Sequence, residues 1–163
     1  MSFPVEAFVR VRAVDTTCGT FVLLRGAWAF RCRFSPADGP NEKLLWMTGE
    51  NAGQISGIPD EIGLSIAPRF KVQTRFSDPS NVVSTYDTPL GSVVLPDGGG
   101  LQYWGHIMGS QRHAYGFDSS GEDVQADKGH WPAPFLHTNT FEVWLEMDGS
   151  PIGEKPLFSV HPL

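Results

Sequence analysis

The feature that most constrains this chain is the period of its apolar residues. Over short runs they alternate with polar ones, and each run ends in a cluster of Gly, Pro, Asn or Asp. Residues 140–147 are the cleanest case: Phe141, Val143, Leu145 and Met147 alternate with Glu142, Trp144 and Glu146. A period of two sends successive side chains to opposite faces of a strand, so one face can enter a core. Residues 5–14 show the same pattern, with Val5, Ala7, Val9, Val11 and Ala13 on one face and Arg10 and Arg12 on the other. No stretch carries the longer period of an amphipathic helix.

Further strands are expected near residues 43–48, 62–67, 69–76, 82–86, 92–95, 101–108 and 112–117. The last two read as a hairpin around Gly109-Ser110. One or two more strands span 152–160, after a turn at Asp148-Gly149. Turns fall at 15–19, 35–40, 49–57 and 97–100, and residues 118–131 read as a long loop without periodicity. Residues 20–34 read as one strand that changes phase. Phe21 and Leu23 are odd, whereas Trp28, Phe30, Cys32 and Phe34 are even. A β-bulge or bend at Arg25-Gly26 would reconcile the two halves.

Roughly nine to eleven short strands at regular spacing indicate an all-β chain. The expectation is a single antiparallel β-sandwich of jelly-roll-like form over residues 1–163, with a closed β-barrel as the alternative. The apolar fraction of 40% supplies a core, and the charged fraction of 18% suits buried sheets.

The net charge of −6 argues against a nucleic-acid partner, which would need excess Lys and Arg to displace counterions. It argues equally against an anionic membrane surface. The opening residues carry no secretory pattern, and no apolar run reaches the length of a membrane span, so a cytoplasmic chain is expected. Cys18 and Cys32 form no CxxC pair and are too few for a zinc site. They read as reduced thiols, Cys32 inside and Cys18 in a turn.

His106, His113, His130 and His137 are spaced without a close pair, so no metal is expected from them. Residues 118–127 hold clustered carboxylates that could wrap calcium, but they lack the EF-hand pattern and read more simply as a solvated acidic loop. Arg31 and Arg33 are expected to pair across strands with Glu142 and Glu146. No nucleophile elbow, P-loop or dinucleotide fingerprint is present, so enzymatic activity is not favoured and no cofactor is expected.

Residues 103–137 hold the densest mixture of aromatic rings and polar donors. The candidate ligand-binding residues are Trp104, His106, Arg112, His113, Tyr115, His130, Trp131 and His137, with Tyr103 nearby. Sugar sites use that mixture, stacking a ring on a C–H face while Arg and His bond hydroxyls. An ordinary sheet edge presents the same residues.

Val11-Arg12-Ala13-Val14-Asp15-Thr16, residues 47–66, Ser84-Thr85-Tyr86-Asp87-Thr88-Pro89 with Val94-Leu95-Pro96, and residues 141–153 together, in this order, resemble segments of the PixA/AidA family of bacterial inclusion-body proteins. The family's Ile-Arg-Trp near residues 71–74 and its closing Trp-Asp-Pro near 160–162 are absent. The resemblance implies a non-enzymatic bacterial β-sandwich that self-assembles and has sugar-binding ability. It transfers no functional residue.

Three functions follow as expectations. The first is a non-enzymatic binding or self-assembly protein, lectin-like, with a small-molecule or glycan ligand and a homo-oligomeric state. The second is a small β-barrel cyclase, isomerase or lyase using His, Tyr and Asp in an internal cavity. The third is an inhibitor or immunity-type protein that binds its partner through an acidic face.

Overall fold

The computed structural model describes residues 3–34, 41–76, 78, 80, 83–85, 91, 93–95, 100–107, 114–124 and 135–161. The first strands are β1 (Phe8–Arg12), β2 (Phe21–Leu24), β3 (Ala27–Phe34), β4 (Asn41–Trp46), β5 (Gln54–Ser56), β6 (Ile62–Ile66) and β7 (Lys71–Arg75). Then come β8 (Val83–Thr85), β9 (Val93–Leu95), β10 (Gln102–Ile107) and β11 (Ala114–Phe117). The last are β12 (Phe135–Thr138), β13 (Phe141–Met147), β14 (Ser150–Pro151) and β15 (Phe158–Val160).

They form two unequal sheets. The large one runs β1-β6-β2-β3-β4-β5-β10-β9-β12-β8, with β11 added on β10. The small one has β13 at its centre, flanked by β7 on one side and by β14 and β15 on the other. All pairs are antiparallel except β5 with β10. The architecture is the expected all-β sandwich. Among the described residues the large sheet stays open at β1 and β8, so the closed-barrel alternative is set aside. No helix of the described residues is long and apolar enough to cross a membrane.

The phase change in residues 20–34 has a simpler cause than a bulge. Arg25 and Gly26 have φ of 51° and 79°, the consecutive positive values of a two-residue type I′ hairpin turn. The register pairs Phe21 with Phe30, Leu23 with Trp28 and Leu24 with Ala27. Partners have opposite parity, so odd residues of β2 share a face with even residues of β3. The expected single bent strand is therefore two strands folded back on each other.

The first expected strand is also shorter. Single 3₁₀ turns at Val5–Ala7 and Ala13–Asp15 flank β1. Its inward residue is Phe8, which packs on Trp28 at 6.5 Å, whereas Val9 is 41% exposed. The alternation in sequence thus points the wrong way here. The small sheet covers only one end of β1, and Arg12 reaches solvent to pair with Asp60. Strand β12 carries no clear sequence signal, being four residues long.

Between the sheets, aromatic rings fill the core. Phe21, Phe30, Tyr103 and Phe158 meet at 4.8–5.8 Å between centroids, and Trp28 stacks on Phe158 at 5.7 Å. Cys32 lies in this core, and Cys18 is half-buried in a turn. Both thiols are free, and burial pushes both pKa values up, so neither is a poised thiolate. A second, smaller core backs the large sheet, where Ala13, Val22, Leu24, Ala29 and Leu44 pack with Trp46 and Ile58.

Candidate binding surface

Strand β10 organises the face that the sequence marks for binding. Alternation sends Tyr103 and Gly105 toward the small sheet and leaves Gln102, Trp104 and His106 on the opposite, outer face. Tyr103 is buried, its hydroxyl 2.6 Å from Thr74 Oγ1, and burial raises its pKa. Gly105 sits where a Cβ would lie 2.2 Å from Leu45 Cδ1, so any side chain there must displace that buried leucine.

On the outer face, the indole of Trp104 lies over β11. Its partner there is Gly116, where a Cβ would come within 2.8 Å of Trp104 Nε1. A bare glycine makes room for the ring. Trp104 Nε1 donates to Gln102 Oε1 at 3.3 Å. Trp104 is only 6% exposed, while Gln102 and His106 are half-buried. The register continues the row across the sheet, from Gln102 to Val94 on β9 and from Val94 to His137 on β12. His137 is buried, and desolvation lowers the pKa of both His137 and His106.

Three of the sequence candidates, Trp104, His106 and His137, therefore share one face. Tyr115 does not. It pairs with Gly105 and packs edge-on against Phe34 at 4.6 Å, on the inner side. Arg112, His113, His130 and Trp131 lie outside the described residues. His106 and His137 stand two strands and four residues apart, roughly 16 Å by sheet spacing and rise. That is too far to share an ion. Among the described residues no group of three His, Cys, Asp or Glu could hold a metal.

The expected pairing of Arg31 and Arg33 with Glu142 and Glu146 is not found. Both arginines instead meet Glu42 of the adjacent strand β4. The reason is topological: β13 belongs to the small sheet, whereas β4 is hydrogen-bonded to β3. Arg31 is 4% exposed and also donates to Ala13 O at 3.0 Å. Arg33 bridges Glu42 at 2.8 Å and Glu122 at 3.1 Å. The two guanidiniums hold the Glu42 carboxyl below its ordinary range.

The described part of the acidic stretch, residues 118–124, is not a free solvated loop. Asp118 Oδ1 accepts from Ser120 N at 2.9 Å, Ser120 Oγ at 2.6 Å and Glu122 N at 3.1 Å. Arg33 N donates to Gly121 O at 2.7 Å, and Asp123 N donates to Arg33 O at 3.0 Å. The stretch extends the sheet along β3 beyond the end of β2. Glu122 holds the stretch to Arg33, and Asp118 closes its own turn.

A second polar face was not singled out by the sequence. On the outer side of the small sheet, Arg75 Cζ lies 5.1 Å from the Trp144 ring centroid, and Trp144 Nε1 donates to Glu142 Oε2 at 2.8 Å. The alternation of Glu and Trp in residues 140–147 was its only signal. No family model, no curated protein and no solved structure matches this chain.

Proposed function

We propose that this chain is a non-enzymatic β-sandwich binding protein whose ligand is a polar, glycan-like molecule seated on the outer face of the large sheet. The observation that carries the reading is the clustering of Gln102, Trp104 and His106 on the face of β10 turned away from the core. Trp104 forms the floor. Gln102 and His106 present donor and acceptor atoms at the surface. With its pKa lowered, His106 is neutral at pH 7 and offers one donor and one acceptor, which matches ligand hydroxyls.

Two further observations support binding over catalysis in an internal cavity. The space between the sheets is filled by ring contacts, and the Tyr103 hydroxyl is engaged by Thr74. The reading as an inhibitor with an acidic face loses support because Glu122 is paired with Arg33 and Asp118 is bound within its turn. The resemblance to the PixA/AidA family points the same way as the binding reading.

A glycan array followed by calorimetric titration of the best ligand tests it. Gln102→Ala and His106→Ala each remove about one hydrogen bond and lower affinity by about tenfold. Binding also weakens as pH falls and His106 takes up a proton. An array without a hit overturns the reading, and a hit unaffected by both variants moves the site elsewhere.

A further inference from the structure

The outer face of the small sheet carries charges in stripes. Val72 and Thr74 of β7 and Phe141, Val143 and Leu145 of β13 point inward. Lys71, Gln73 and Arg75 therefore line the outer side of β7, and Glu142, Trp144 and Glu146 line that of β13. The register sets Lys71 beside Glu146, Gln73 beside Trp144 and Arg75 beside Glu142. One row is positive and the next is negative. Among the described residues neither charged pair closes into an ion pair within the chain: Arg75 Nε donates to Gln73 Oε1 at 2.8 Å, and Glu142 accepts from Trp144. On the third column, Ser159 stands beside Glu142 and Pro151 beside Glu146, both uncharged.

We infer that this face docks a second copy of the chain through a two-fold axis running along the strands between β7 and β13. Such a rotation lays the positive row of one copy on the negative row of the other. Lys71 then meets the second copy's Glu146, Arg75 meets its Glu142, and Trp144 covers its Gln73. A two-fold axis across the strands would instead set like charges on each other, so the striping selects one orientation. The selected orientation also keeps the strands of the two small sheets aligned, as in face-to-face sheet packing. The face of these strands has a projected area of roughly 250 Å² by sheet spacing and rise. That is well below the ~800 Å² per partner of a standard interface. The dimer is consequently weak, and charge complementarity governs its formation. The proposal goes beyond the ligand site, which lies on the other sheet.

Sedimentation equilibrium over a concentration series tests it on the unaltered chain and on two charge reversals. The unaltered chain forms a dimer at high concentration, and added salt dissociates it as screening shortens. Lys71→Glu and Glu146→Lys each place like charges across the axis twice and weaken self-association by about tenfold or more. Mixed in equal amounts, the two variants regain opposite charges at those contacts and form a heterodimer as tight as the original dimer. Thermal melts of each variant report its folding. A monomer at every concentration overturns the proposal on the unaltered chain alone, whatever the variants do. So does a dimer indifferent to salt, or a mixture that fails to restore association. A monomer whose Trp144 fluorescence instead answers to a glycan assigns the face to a ligand.

Discussion

Glu42 is a partly exposed residue whose removal should be costly, because two arginines depend on it. It accepts from Arg31 and Arg33 at once, and Arg31 is 4% exposed. Replacing Glu42 by Ala strands the Arg31 guanidinium in a low-dielectric site, where among the described residues its remaining hydrogen bond is to the Ala13 carbonyl. Breaking a fully buried pair costs about 3–5 kcal/mol. The Glu42 side chain is 31% exposed, so water relieves part of that cost. Arg33 also keeps Glu122. The expected loss is therefore about 2–3 kcal/mol, read by urea denaturation with an unchanged slope. The pH dependence has a definite sign. The folded-state pKa of Glu42 is lowered, first by its hydrogen bond from Arg33 and then by that from Arg31. Its contribution is fully present above the ordinary carboxylate range and is lost as pH falls through the lower folded-state value. The difference between the unaltered chain and Glu42→Ala should thus shrink on acidification. A double change, Arg31→Met with Glu42→Met, removes the stranded charge and should cost less than Glu42→Ala alone. A loss below about 0.5 kcal/mol for Glu42→Ala, or a gap that widens at low pH, would refute this account.

Two backbone predictions follow from glycines with different roles. Gly26→Ala meets nothing within 4 Å, so its cost is the positive φ of 79° alone. About 1 kcal/mol should be lost, seen as a shift of the urea midpoint. Gly105→Ala instead drives a methyl to 2.2 Å from Leu45 Cδ1. It should cost about 1–3 kcal/mol and show strong coupling to Leu45→Ala in a double-mutant cycle, whereas additive losses would show that the core relaxes around the methyl.

Much of the fold was legible because a strand's period of two is a local property. Residues 140–147 were readable as a strand with no knowledge of its neighbours, and β13 spans Phe141–Met147. The hairpin of β10 and β11 was readable for the same reason. The phase change at Arg25-Gly26 was visible too, but its meaning was not. A bulge and a two-residue hairpin both shift parity by one, and only the pairing of Phe21 with Phe30 distinguishes them. β1 shows a different limit. Its valines alternate as a buried face would, yet the strand lies at the sheet's end, where the small sheet covers little more than Phe8.

Sequence alone determined that this chain is all-β, where most of its strands lie, that Cys32 is inside, and that the region around Trp104 and His106 mixes rings with polar donors. Each of these depends on side-chain chemistry and short-range spacing. Tertiary structure decided everything that depends on which strands are neighbours. It assigned Glu42 rather than Glu142 and Glu146 to the arginines, separated Tyr115 from Trp104, and placed His137 two strands from His106. It also set Lys71 and Arg75 beside Glu146 and Glu142. Strand order across a sheet is fixed by long-range packing that leaves no periodic trace in the chain, so it could only be seen once the sheets had formed.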